Sequence, residues 1–173
     1  MLVAAMNPCP CGYYGHPTRP CTCSPTAAAN YLSRISGPLL DRIDIHVEVP
    51  PVEFAQLSSK TPGESSAAIR ARVNVAREIQ LRRFSGIPEA AGITCNARIP
   101  TNLLKKVCPL TPGAEQLLQN AFDRLGLSAR AYDRLLKVAR TFADLAGSEL
   151  IDTPHVAEAV QYRSLDRKYW DRR

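Results

Sequence analysis

The sequence predicts a mixed α/β segment over residues 1–55 and an all-α helical domain over 65–167, joined by a linker at 56–64. Three observations predict this. Two short β-patterned runs lie in the first fifty residues, each ended by proline. A stretch rich in Pro, Ser and Gly follows, the composition of an exposed connection. Beyond it, apolar residues recur at helical spacing between proline starts and glycine stops.

The opening run Leu2-Val3-Ala4-Ala5-Met6 stops at Asn7-Pro8 and reads as a buried strand ending in a turn. A second candidate, Arg42 through Val49, alternates polar with β-branched residues and ends at Pro50-Pro51. Two strands do not make a stable sheet, so the pattern implies further strands outside this sequence or a sheet remnant poorly ordered by itself. Between the runs, Ser24-Pro25 and the alanines after it predict a helix to Ser36, which Gly37-Pro38 breaks. In the helical part, the segment from Ser65 to Phe84 places Ile69, Val73, Ala76 and Ile79-Gln80 on one stripe. Arg70, Arg72, Arg77, Arg82 and Arg83 lie mostly around it, giving a basic amphipathic helix. A short helix over 100–107 follows. Others run from Thr111-Pro112 to Gly126, from Ser128 to Ala146 before Gly147, and from Thr153-Pro154 through Val156, Ala159 and Val160 toward Leu165.

With 45% hydrophobic and 22% charged residues, the chain has the means to bury a core and is not of the disordered class. No apolar run reaches bilayer length, and the start lacks the basic flank of a signal peptide, so a cytoplasmic location without membrane contact is expected. The net charge of +6 favours polyanions such as nucleic acid or nucleotide phosphates, though ordinary solubility charge accounts for it equally well.

Four of the six cysteines, Cys9, Cys11, Cys21 and Cys23, form a C-x-C-x9-C-x-C array in one loop. In a reducing compartment such a cluster points to metal before disulfides, and four thiolates suit the tetrahedral coordination of structural Zn2+. Reduced surface thiols or one or two disulfides are the alternatives. His16 lies within the loop and is a possible replacement ligand, while Cys95 and Cys108 stand alone. Asn7 follows a candidate strand at its C-terminal end, where open α/β sheets place ligands, although an Asn before Pro is also a common turn former. Arg42 lies between Asp41 and Asp44, the pattern of a surface ion pair. Arg130 falls in the first turn of a helix, an unfavourable end for a cation that a bound anion such as phosphate would offset.

Four blocks, in order, carry a resemblance: Leu2 through Gly12 (LVAAMNPCPCG), Ser36 through Asp44 (SGPLLDRID), Ala76 through Phe84 (AREIQLRRF) and Leu127 through Arg134 (LSARAYDR). Together they resemble the magnesium-chelatase-like AAA+ ATPases of the YifB/ComM type over residues 1 to about 167. The resemblance implies that the α/β segment is a remnant of an AAA+ core and the helical domain its lid. It implies Asn7 as a sensor-1 residue that orients the attacking water, Arg42 as an arginine finger offered to a neighbouring subunit, and Arg130 as a lid arginine on the nucleotide phosphates. ATP with Mg2+, a hexameric ring and work on DNA, similar to branch-migration helicases in competence and recombination, are further implications. A magnesium-chelatase subunit acting in porphyrin metallation is a second reading. Outside that family, a stand-alone zinc-containing nucleic-acid-binding module without ATPase activity, or a purely structural helical interaction domain, remains open. No G-x-x-x-x-G-K-[ST] phosphate loop occurs in the sequence, so this chain is expected not to hydrolyse ATP by itself.

Overall fold

The computed structural model describes residues 1–52, 58 and 62–163, and the protein is mostly helical over them. Seven α-helices are formed among the described residues: α1 Pro25–Leu32, α2 Gly37–Leu40, α3 Ser66–Ser85, α4 Thr101–Val107, α5 Pro112–Leu125, α6 Ala129–Leu145 and α7 Thr153–Gln161. Two 3-10 turns, Pro88–Ala90 and Asn96–Arg98, lie between α3 and α4. Most of the expected linker 56–64 and the stretch beyond 163, including Leu165, lie outside the described residues.

Helix starts follow the capping chemistry of the sequence. The hydroxyls of Ser24, Ser65, Thr111 and Ser128 each accept a hydrogen bond from a backbone N–H in the first turn of the helix they precede. Asp152 opens α7 in a reciprocal arrangement in which the His155 ring accepts from the Asp152 N–H at 2.9 Å. At the far end of α5, Gly126 takes φ 53°, the left-handed conformation that closes a helix at little cost only with glycine. The helix expected from Ser24 to Ser36 ends earlier, at Leu32, and Gly37-Pro38 begins the separate helix α2: proline is well suited to a first helical turn, whose N–H groups lack partners anyway.

The two expected strands do not form. Residues 1–6 are exposed and outside any regular element, and Ile45, Val47 and Val49 are also exposed. Among the described residues, β pairing is confined to an isolated parallel bridge between Leu110 and Ile151. A strand takes its ladder bonds from neighbours, and the described residues supply no neighbouring strand to either run. The α/β character expected for residues 1–55 is therefore not what this structure displays.

The core belongs to the helical part. Leu103, Leu104, Val107, Leu118, Leu135, Leu136, Ala139, Ile151 and Val156 pack with Phe84 and Ile99 in one buried cluster. α6 is its axis, touching α3, α7, α4 and the Asn96–Arg98 turn. Only the C-terminal half of α3 takes part. Ala76, Gln80 and Phe84 are buried, whereas every residue from 66 to 75 is exposed, including Ile69 and Val73, which were expected on the buried stripe.

A polar group sits inside this core. The Asp144 carboxylate receives Arg83 on one side, Arg140 through its Nε at 3.0 Å, and the Asn96 amide at 2.8 Å. Arg140 is wholly buried and donates its remaining N–H groups to the carbonyls of Ser148 and Glu149, satisfying a charge that would otherwise be costly to desolvate.

Candidate functional site

The cysteine loop folds back on itself so that its two C-x-C pairs face each other. Gly12, at φ 82°, turns the chain directly after Cys11 and donates its N–H to the Cys9 carbonyl at 3.0 Å. The sulfurs of Cys9 and Cys11 are 3.4 Å apart, those of Cys9 and Cys21 3.7 Å, and those of Cys11 and Cys21 3.5 Å. With Cys23, all four sulfurs lie within 4.8 Å of one another. The cysteines are free, and these separations exceed the ~2.05 Å of a disulfide bond. They approach the ~3.8 Å between sulfurs that follows from four Zn–S bonds of ~2.3 Å in a tetrahedron.

The electrostatics of the loop suit a cation. Backbone N–H groups of Tyr13 and Thr22 point at the Cys11 sulfur and, with smaller help from Cys9, pull its pKa down to about 5. At Cys21, the Cys23 backbone N–H stabilises the thiolate. Desolvation and the neighbouring sulfurs of Cys11, Cys9 and Cys23 outweigh it and push the thiol up to about 12. One negative sulfur is thus held by the backbone, and a second is opposed by the first. A divalent cation would remove that opposition. His16 is turned away: its Nδ1 accepts the backbone N–H groups of Thr18 and Arg19 at 3.2 and 3.0 Å, which fixes the tip of the loop.

Asn7 is exposed, and its side-chain amide lies next to Gly12, against the turn of the cysteine loop. Arg42 is exposed in the turn that follows α2. Its backbone N–H bonds to Leu39 and its guanidinium donates to the Pro38 carbonyl at 3.3 Å. Arg130 projects from the first turn of α6, exposed and without an ion pair among the described residues. A groove between α5 and α6, lined by Glu115, Phe122, Tyr132 and Asp133, reaches Ala129 beside it. Burial is the main cause that raises the Tyr132 phenol above its ordinary pKa, with Glu115 and Asp133 adding to it.

The Arg42 turn and the Arg130 helix start are brought together. Ser128, which caps α6, donates its hydroxyl to the Asp41 carboxylate at 3.2 Å. Arg134, one turn beyond Arg130 on α6, pairs with Asp44. Arg163, buried just after α7, donates to the Ile43 carbonyl and lies 3.6 Å from Asp41. The His46 N–H reaches the Tyr162 carbonyl at 2.9 Å. Among the described residues, no hydrogen bond or ion pair joins the cysteine cluster to either arginine. The sequence marks Asp41, Asp44, Ser128 and Arg134 only as polar neighbours of the candidate arginines. Their pairing spans about ninety residues of chain and has no local signature.

Residues 1–57 match the family described as magnesium chelatase, subunit ChlI, and residues 63–163 match its C-terminal part, described as magnesium chelatase, subunit ChlI C-terminal. The chain belongs to this magnesium chelatase ChlI family. Among similar proteins, the uncharacterized protein YifB of Escherichia coli is 42% identical over 168 residues, and the competence protein ComM of Haemophilus influenzae is 43% identical over 168 residues. The uncharacterized protein Rv2897c of Mycobacterium tuberculosis is 37% identical over 164 residues. The alignments cover 94 to 96% of this chain but 31% of each of these relatives, so the chain spans about a third of their length. No helix among the described residues is long and apolar enough to cross a membrane.

Proposed function

We propose that this chain forms part of a hexameric AAA+ ATPase that couples hydrolysis of ATP with Mg2+ to the remodelling of DNA. The observation that carries this reading is the pair of exposed arginines on mutually bonded segments, in a chain of this family. A positive guanidinium placed on developing phosphate charge accelerates phosphoryl transfer, and an amide that orients water assists it. Arg42 acts on the ATP of a neighbouring subunit, Arg130 on the phosphates of nucleotide held by its own lid, and Asn7 on the attacking water. The phosphate cradle is supplied by residues other than these, since the sequence has no phosphate loop of its own. Residues 1–6 and 42–49 become strands when further strands of an AAA+ core stand beside them, with 1–55 as core, 56–64 as linker and 65–167 as lid. The name of the Haemophilus relative, a competence protein, supports DNA as the substrate on which the motor works.

Cys9, Cys11, Cys21 and Cys23 hold one structural zinc ion in the cytoplasmic protein, which the sulfur separations and the backbone N–H groups aimed at Cys11 support. Bound there, zinc neutralises thiolates that otherwise repel and closes the loop beside Asn7. A zinc-containing nucleic-acid-binding module without ATPase activity is the second reading, favoured by the solvent-exposed first half of the arginine-rich helix α3.

The test uses the full-length parent that this reading implies. Arg42→Ala lowers kcat by on the order of a thousandfold with little loss of nucleotide binding, whereas Arg130→Ala weakens binding as well as turnover. Mixing Arg42→Ala chains with chains inactivated in the phosphate loop restores activity, because some interfaces then hold both intact halves. Unchanged turnover in Arg42→Ala, or mixed rings that remain inactive, rejects the finger. Salt-sensitive DNA binding by this chain alone, with no ATP hydrolysis by the full-length protein, would establish the second reading instead.

A further inference from the structure

We infer that Asp44 and Arg134, with Asp41, Ser128 and Arg163, form a latch that fixes the Arg42 turn to the helical domain, making Asp44 and Arg134 positioning residues for Arg42. The inference rests on Arg42 acting at a nucleotide site. The geometry is specific. The residue before Arg42 is bound through its carboxylate to Ser128 and faces Arg163. The carbonyl of the residue after it accepts from Arg163, and Asp44, two residues on, pairs with Arg134. His46 extends the attachment through its N–H to Tyr162, whose ring stacks on Phe142 of α6 at 5.7 Å. Every neighbour of Arg42 on its C-terminal side up to Asp44, and the one before it, is thus engaged, while Arg42 itself is exposed and, among the described residues, its side chain holds only the Pro38 carbonyl. A long side chain aimed from a fixed backbone loses less freedom on reaching its target than one on a loose loop.

The latch has a second effect. Ser128 is both the cap of α6 and the partner of Asp41, so Arg130 and Arg42 lie two residues and one residue from the two ends of the same hydrogen bond. A helical domain that shifts when Arg130 meets phosphate carries the Arg42 turn with it. Occupancy of one nucleotide site is thereby transmitted to the site that Arg42 serves, through contacts within a single chain. The hydrogen bond thus ties the backbone that carries Arg42 to the start of the helix that carries Arg130.

The experiment uses full-length protein with Asp44→Ala, Arg134→Ala, and the charge exchange Asp44→Arg with Arg134→Asp. Both side chains are partly exposed, at 48% and 32%, so neither single change threatens the fold. Each single variant lowers kcat by about tenfold to a hundredfold with the Kd for ATP unchanged, and the exchange restores at least half of the loss. Hydrogen exchange at the His46 amide, read in the same samples, speeds up in the single variants and returns to normal in the exchange. Unaltered exchange in the single variants shows that no latch exists and overturns the inference. Faster exchange with unchanged kcat overturns it too, provided Arg42→Ala still abolishes turnover. If Arg42→Ala is itself harmless, the reading of Arg42 has failed and the inference falls with it.

Discussion

Removing the carboxylate of Asp144 would leave Arg83 and the wholly buried Arg140 facing each other without a counter-charge. Asp144→Ala is therefore expected to destabilise the protein by about 3–5 kcal/mol, as for other broken buried pairs, seen as a large fall in the denaturant midpoint. Cys108 makes a second prediction at this scale. Burial pushes its thiol up to about 12, so it is neutral at ordinary pH and should resist thiol reagents until the protein unfolds. A thiol whose folded pKa is raised contributes stability that is fully present below its unfolded value of ~8.5 and is lost as pH rises toward its folded value. The melting temperature should fall between pH 8.5 and 12, and Cys108→Ala should remove part of that fall. These residues show how far a sequence can be read. The four clustered cysteines announce themselves by spacing, and the structure gathers them. Arg140 and Asp144, four apart on one helix, look like any solvent-facing pair, because their burial depends on Arg83 and Asn96, which arrive from distant segments.

Helices were legible because their signals are local: a hydroxyl before the first turn, a proline in it, a glycine after the last. The β pattern at 2–6 and 42–49 did not decide the structure for the opposite reason, since it states a readiness to pair and partners decide the outcome. α3 shows the same division within one element. Its apolar stripe is periodic from Ile69 to Phe84, yet packing begins only at Ala76. Phe84→Ala should cost about 3–5 kcal/mol and Val73→Ser less than about 0.5 kcal/mol, a contrast that thermal melts of the two variants measure directly. The cysteine loop is tested as an element by metal analysis of protein purified without chelator. About one zinc per chain is expected, and less than about 0.2, with four freely titratable thiols, sinks the proposal.

For the molecule as a whole, long-range bonds tie the segment before the linker to the helical one. The Arg42 turn, early in the sequence, is bonded to Ser128, Arg134 and Arg163 near its other end. Such pairings carry no local trace, which is why the candidate arginines could be named from sequence while their attachment could not. The buried carboxylate of Asp144 also has a kinetic meaning. α5, α6 and α7 follow one another closely and can associate through short loops. The bond from Arg83 to Asp144 must instead close 61 residues of chain, and the entropy of that closure is paid before any contact repays it. The three later helices should therefore assemble first and α3 dock after the rate-limiting barrier. Loss of the Arg83 contact would then show mainly as faster unfolding, with the refolding rate nearly preserved.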